Sequence, residues 1–96
     1  MPIRKRWSPK QRVDKAPPKP GAYELGNNRG SIQYIGKAAN LRQRLQEHLA
    51  DPAKAPRVAK IRYVNGGSPA ALERQLVRRY QELHAGALPP LNKREP

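Results

Sequence analysis

The sequence predicts an α+β domain, in which helices flank a small, mainly antiparallel, three-stranded sheet in the order β-β-α-β-α. Three observations support this prediction. Two short β-type segments flank the turn GNNRG (Gly26–Gly30). Two later segments repeat apolar residues at helical spacing. Between these two helical segments, a further segment alternates its side chains between two faces, as a strand does. Because the chain has 96 residues, we expect one domain with a small core.

The N-terminal residues predict a flexible basic arm. Residues 1–16, within MPIRKRWSPKQRVDKAPPKP, combine lysine and arginine with proline and show neither helical nor strand periodicity. We therefore place the domain at residues 17–96. Trp7 is a candidate for stacking on a nucleic-acid base, although such a tryptophan more often docks on its own domain.

Three segments predict strands. Ala22–Leu25 and Ser31–Ile35 form a hairpin around the glycine-rich turn, whose residues tolerate positive φ. Val58–Val64 shows the alternation expected of a strand: Ile61 and Tyr63 share one face, and the side chains between and beside them share the other. The helix between the second and third strands separates the hairpin from the last strand.

The first helix begins after Asn40, a good N-cap residue. Leu41, Leu45 and Leu49 then form one stripe, and the Asp-Pro pair at 51–52 ends the helix. Basic residues 53–57 form a loop. The second helix, at residues 70–84, has Ser68 as its N-cap and ends before the glycine at position 86.

One carboxylate falls within the apolar arc of the second helix. On a helical wheel, Glu73 lies inside this arc, whereas Glu82 and the arginines lie outside it; the arc contains Leu72, Leu76, Val77, Tyr80 and Leu83. A carboxylate among apolar side chains requires a cation, a metal or protonation. Glu73 is therefore either in a salt bridge with an arginine or a ligand for a divalent metal such as Mg²⁺.

The other candidate residues lie on the hairpin and the first helix. Arg44 and His48 project from one edge of the leucine stripe, where arginine suits phosphate binding and histidine suits proton transfer. Tyr23 and Tyr34 come from adjacent strands, and Lys37 follows the second of them. Taken singly, each residue also fits an ordinary core or surface position.

The charge of the chain predicts a polyanionic partner. The formal net charge is +13, of which residues 1–19 carry +6 and residues 20–96 carry +7. The domain itself is therefore basic, and nucleic acid is the usual partner of such a surface. The absence of cysteine excludes disulfides and Cys-zinc sites. No apolar run approaches a membrane span of about 18 residues, so we expect no membrane partner and a cytoplasmic location.

These residues, taken in order, resemble the GIY-YIG nuclease family. The matching features are two strand tripeptides, an arginine and a histidine on the next helix, a glutamate on a later helix and a final asparagine: GAY (Gly21–Tyr23), YIG (Tyr34–Gly36), Arg44, His48, Glu73 and Asn92 in PPLN. The chain looks most similar to the compact domain at the start of bacterial excision-repair nuclease subunits. It departs from the family in having GAY for GIY. The interval of nineteen residues from Glu73 to Asn92 is also longer than in the repair subunits. A shorter interval would make Glu82 the matching glutamate, but the helical wheel places Glu82 on the solvent side.

The resemblance implies a metal-dependent DNA endonuclease. In the family's proposed mechanism, water attacks the phosphodiester in line, a tyrosine acts as general base, Arg44 stabilises the transition-state charge, and one metal ion on Glu73 activates the leaving 3′-oxygen. The implied catalytic set is Tyr23, Tyr34, Arg44, His48 and Glu73, with Mg²⁺ or Mn²⁺ as cofactor and with Lys37, Arg42 and Asn92 contacting substrate. Either tyrosine fits the role of base.

Two other functions fit the composition. One is a nucleic-acid-binding module that keeps the fold without cutting, and the other is a structural or ribosome-associated basic protein. The presence of both Glu73 and Arg44 favours cleavage, and the resemblance favours DNA over RNA. A basic arm contacts phosphates rather than bases, so we expect weak sequence specificity, or specificity supplied by a protein partner. Roles in repair or recombination, in mobile elements and in restriction all remain open.

Overall fold

The computed structural model describes residues 6–92 and confirms the α+β class. Its elements, in chain order, are β1 (Ser8–Pro9), a first 3₁₀ helix (Lys10–Lys15), β2 (Gly21–Gly26), β3 (Ile32–Ala38), α1 (Leu41–Ala50), a second 3₁₀ helix (Ala55–Arg57), β4 (Lys60–Asn65) and α2 (Pro69–Leu83). The predicted β-β-α-β-α order is therefore present as β2, β3, α1, β4 and α2.

The sheet has four strands rather than the three predicted. Their order is β1-β4-β2-β3, and every neighbouring pair is antiparallel. All six residues of β2 are buried, whereas β3 forms one edge of the sheet. In the β2–β3 turn, the side-chain oxygen of Asn27 accepts the backbone N–H groups of Arg29 and Ser31. This Asx-type turn holds the hairpin that carries both motif tyrosines.

The fourth strand comes from the segment predicted to be a flexible arm. Ser8 and Pro9 pair with the outer edge of β4, where a proline without an N–H is tolerated. Ala16 is fully buried, and the ring of Trp7 lies 4.0 Å from the guanidinium carbon of Arg62. Residues 7–16 therefore pack on the domain, and the flexible-arm prediction is wrong for them. Residues 1–5 lie outside the described residues.

The two helices cover opposite faces of the sheet. On the face covered by α1, the buried cluster contains Ala16, Tyr23, Leu25, Leu41, Leu45, Val58 and Ile61. The face covered by α2 has a smaller cluster of Ala22, Ile35 and Leu76. The two clusters are separate because successive residues of β2 point to opposite faces of the sheet.

Both helices begin at the predicted caps. The Asn40 side chain accepts the N–H of Gln43, and the Ser68 hydroxyl accepts the N–H of Ala71. Leu83, which the wheel places on the buried face, is 68% exposed because it is the last residue of α2. Within residues 6–92, no helix is both long and apolar enough to cross a membrane.

Candidate active site

The two tripeptide motifs meet across the β2–β3 ladder. Tyr23 on β2 lies directly opposite Gly36 on β3. A Cβ atom at position 36 would overlap the hydroxyl end of the Tyr23 ring, so this glycine leaves the room that the ring occupies. The Tyr34 ring stacks beside it, with 6.1 Å between the ring centroids. Each motif therefore depends on the other.

His48 connects α1 to this tyrosine pair. Its Nε2 atom lies 2.6 Å from the Tyr23 hydroxyl, and its ring centroid lies 4.8 Å from that of Tyr34. Its Nδ1 atom lies 3.1 Å from Nζ of Lys54. Burial lowers the pKa of His48 to about 4, and the cations of Lys54 and Arg44 add to this effect. The imidazole is therefore neutral at pH 7.

Arg44 and Glu73 both act on Tyr23 electrostatically. Burial raises the pKa of Tyr23 well above its ordinary value, and Tyr34 raises it further. Arg44 opposes this shift, whereas the negative charge of Glu73 adds to it. Arg44 donates to Glu47 at 3.0 Å, and its side chain is 46% exposed. The site therefore opens to the surface at the arginine.

Glu73 is less buried than the helical wheel predicts. Its side chain is 29% exposed and lies 3.8 Å from Nζ of Lys37 on β3. The charged partner of Glu73 is therefore a lysine, where the sequence suggested an arginine. Glu24 on β2 is instead a deeply buried carboxylate; its residue is 4% exposed, and it accepts a 2.5 Å bond from Arg62.

Arg42 and Asn92, both predicted to contact substrate, are engaged with the protein backbone. The Arg42 Nε atom donates to the carbonyl of Ala16 at 2.8 Å and ties α1 to the N-terminal segment. The Asn92 amide accepts from the N–H of Ile35 and donates to its carbonyl, both at 2.9 Å. Asn92 therefore acts as a strand-like partner on the free edge of β3, next to Tyr34.

The predicted catalytic residues thus lie around β2 and β3, on both faces of the sheet. Tyr23, Tyr34, His48 and Arg44 gather on the α1 side, and Lys37 joins Glu73 across the β3 edge. Lys54 also contacts this group, although its loop shows only a general basic character in the sequence.

The donor set limits which metal fits. Within residues 6–92, no three His, Cys, Asp or Glu side chains are grouped as metal ligands. Such an arrangement does not suit zinc, which takes three or four protein ligands. It suits Mg²⁺, which is commonly held by one or two carboxylates together with water and substrate phosphates. Glu73 is partly exposed at the β3 edge and fits that role.

The sheet topology, the interlocked tripeptides and the residues around them define a domain of the GIY-YIG type. The chain belongs to the family described as "Domain of unknown function (DUF7508)", whose model matches residues 1–83.

The comparisons with known proteins agree with this class. UvrABC system protein C of Bacteroides thetaiotaomicron is 37% identical over 79 residues, which cover 72% of this chain and 13% of that protein. The same protein of Protochlamydia amoebophila is 39% identical over 64 residues, covering 60% of this chain and 10% of the relative. The chain therefore matches only a small part of these curated relatives.

Solved structures are also similar. The GIY-YIG N-terminal endonuclease domain of UvrC from Thermotoga maritima, solved as a point mutant with its catalytic divalent cation bound, superposes with a TM-score of 0.69 and 25% identity. The match covers 88% of this chain and 94% of that one. A second structure of that domain, bound to magnesium, has 24% identity and the same TM-score. The resemblance predicted from the motifs is thus confirmed.

Proposed function

We propose that this chain is a metal-dependent endonuclease that hydrolyses phosphodiester bonds in DNA. One observation carries the proposal: the bonded pair of Tyr23 and His48 lies within electrostatic reach of both Arg44 and Glu73. These groups supply a proton acceptor, a cation for phosphate oxygens and a carboxylate for a divalent ion. The similarity to the UvrC endonuclease domain supports the same conclusion.

Arg44 is suited to the charge that develops on the phosphoryl group. Its guanidinium is half exposed, so a substrate can reach it, and Glu47 holds it in place at 3.0 Å. A planar guanidinium donates to two oxygens at once and stays charged at every working pH. We therefore assign Arg44 to the non-bridging oxygens of the scissile phosphate.

We assign the role of general base to Tyr23 rather than Tyr34. Of the two hydroxyls, that of Tyr23 is bonded to His48, whereas Tyr34 contributes its ring to the packing around the imidazole. In hydrolysis, the water oxygen forms a bond to phosphorus, its proton passes to the Tyr23 oxygen, and the bond to the 3′-oxygen breaks. The Tyr23 oxygen accepts a proton only as phenolate, a form that the nearby cation of Arg44 stabilises.

Glu73 is the proposed ligand for a single Mg²⁺ or Mn²⁺ ion. Such an ion supplies Lewis-acid stabilisation of the leaving oxygen and offsets the carboxylate charge that raises the pKa of Tyr23. Lys37 is the charged partner of Glu73, with 3.8 Å between their charged atoms. When a metal ion replaces Lys37 beside the Glu73 carboxylate, the lysine side chain is released and can turn to a phosphate.

The basic surface supports binding to the DNA backbone. Arg74, Arg78 and Arg79 are exposed on α2, the helix that carries Glu73, and the whole chain has a net charge of +13. Contacts of this kind hold the duplex without reading its bases. We therefore propose weak sequence specificity alone, a protein partner or a DNA structure as the source of selectivity, and a role in repair or recombination.

Cleavage of supercoiled plasmid tests the proposal. Wild type, Glu73→Gln and Glu82→Gln are compared with Mg²⁺, with Mn²⁺ and with EDTA. Glu82→Gln is the matched control, since it removes an exposed carboxylate from the same helix. We expect nicking by wild type and by the control, and none by Glu73→Gln or in EDTA. Equal nicking by the Glu73 and Glu82 variants would overturn the assignment.

A second candidate is a binding module of the same fold that does not cut. The charge of +13 favours it, because that charge explains DNA binding without any active site. This alternative predicts retention of DNA in a gel-shift assay by wild type and by Glu73→Gln alike, with no cleavage of plasmid or of branched and damaged duplexes by either.

A further inference from the structure

Lys54 makes three contacts around the candidate active site. Its Nζ atom lies 3.1 Å from Nδ1 of His48 and 3.9 Å from the carboxylate of Asp51. The same atom lies 4.9 Å from the centroid of the Tyr34 ring. The side chain is only 22% exposed, so Lys54 is held against the imidazole rather than extended into solvent.

We propose that Lys54 is a positioning residue that fixes the tautomer of His48, with the proton on Nε2. An ammonium group has three donors and no acceptor, so Nδ1 must accept the hydrogen bond from Lys54. A neutral imidazole carries a single N–H, which then lies on Nε2, 2.6 Å from the Tyr23 hydroxyl oxygen. His48 therefore donates to Tyr23.

The opposite tautomer is disfavoured by its surroundings. A proton on Nδ1 would face the ammonium hydrogens of Lys54, and neither group could accept from the other. Asp51 keeps Lys54 in place, both through its carboxylate and through a 3.0 Å bond from the Lys54 N–H to the Asp51 carbonyl. The remaining charged groups that act on His48 are Arg44 and Glu47, both exposed.

The tautomer decides what Tyr23 can do. With Nε2–H donating to its oxygen, the phenol directs its own proton away from the imidazole. Once the phenol has passed that proton to solvent water through the opening at Arg44, His48 and Arg44 both stabilise the phenolate, which is the form that accepts a proton from the attacking water. This catalytic consequence rests on the proposed function, whereas the tautomer itself does not.

Nitrogen NMR of the imidazole tests the tautomer directly, because protonated and unprotonated ring nitrogens have well-separated ¹⁵N shifts. Wild type, Lys54→Arg and Lys54→Met are compared at pH 7.5, a condition in which His48 is neutral. We expect Nε2–H in wild type and in Lys54→Arg, which keeps a donor-only cation. In Lys54→Met, we expect a substantial fraction of Nδ1–H. An Nδ1–H signal in wild type, or an unchanged tautomer in Lys54→Met, would overturn the inference.

Plasmid nicking then separates this inference from the proposed function. We expect kcat to fall by about 10- to 100-fold in Lys54→Met, with recovery in Lys54→Arg, as for other residues that orient a reacting group through a hydrogen bond. Lys19→Met, which removes an exposed positive charge, controls for weaker DNA binding. If NMR shows Nε2–H while wild type fails to nick, the tautomer stands and the endonuclease proposal fails.

Discussion

Two buried polar pairs lie on opposite faces of the same strand. Tyr23 and Glu24 are neighbours on β2, and they are only 1% and 4% exposed. Tyr23 meets His48 on the α1 face, at 2.6 Å, and Glu24 meets Arg62 on the α2 face, at 2.5 Å. Strand alternation alone separates them.

The two pairs differ in what they can do after folding. Opposite charges neutralise each other in the Glu24–Arg62 pair, and the ring of Trp7 covers the guanidinium at 4.0 Å. The Tyr23–His48 pair consists of two groups that can each change protonation state, and it reaches the surface through Arg44, which is 46% exposed. Burial of a polar group therefore does not mark a catalytic site. A catalytic site also needs groups that can change protonation state and an opening through which a substrate can reach them.

Tyr23→Phe gives the largest expected effect. Removing the hydroxyl eliminates the proposed base, so the nicking rate should fall by about 10²- to 10⁴-fold. The free energy of unfolding should change by only about 1 kcal/mol, the usual contribution of one hydrogen bond. Plasmid nicking and urea unfolding measure the two quantities. Tyr80→Phe, on the opposite face, is the control, and an equal loss of nicking in both variants would contradict the role of Tyr23.

Glu24→Ala should show the reverse pattern. The variant leaves Arg62 without its partner, so the free energy of unfolding should fall by about 3 kcal/mol. Nicking per folded molecule should stay at the wild-type rate, because this pair faces away from the site. Urea unfolding gives the stability, with the exposed Glu82→Ala expected to change it by less than about 0.5 kcal/mol. A loss below about 1 kcal/mol in Glu24→Ala would show that the pair contributes little.

The smallest effect concerns pH. The pKa of His48 is about 4 in the folded chain and about 6.5 when unfolded. Between these values the unfolded chain binds the extra proton, so stability is complete above about pH 6.5 and falls as the pH drops toward 4. The expected loss is about 2–3 kcal/mol.

Urea unfolding across this pH range measures the loss in wild type and in His48→Gln. Carboxylates titrate in both proteins, so the difference between the two curves isolates the histidine. Parallel curves would show that His48 is not the group responsible.

The same contrast explains what the sequence missed. The helical wheel placed Glu73 inside the apolar arc of α2, but the exposure of its side chain depends on how α2 sits over the edge of β3. Glu24 carried no comparable signal, because a six-residue strand buried on both faces shows no alternation. Lys54 lies in a basic loop, and nothing in the sequence of that loop distinguishes it from the neighbouring basic residues. Its contact with His48, six residues earlier, depends on how the loop turns after α1.

The sequence by itself determined the β-β-α-β-α order and the helix caps at Asn40 and Ser68. These depend on local spacing and capping chemistry, which a single chain displays directly. Only the tertiary structure decided that residues 8–9 add a fourth strand, that Arg42 and Asn92 bind backbone, and that Lys54 reaches His48. The first two join segments that are distant in the chain and meet only when the sheet and α1 pack, whereas the Lys54 contact depends on the irregular path of the loop after α1.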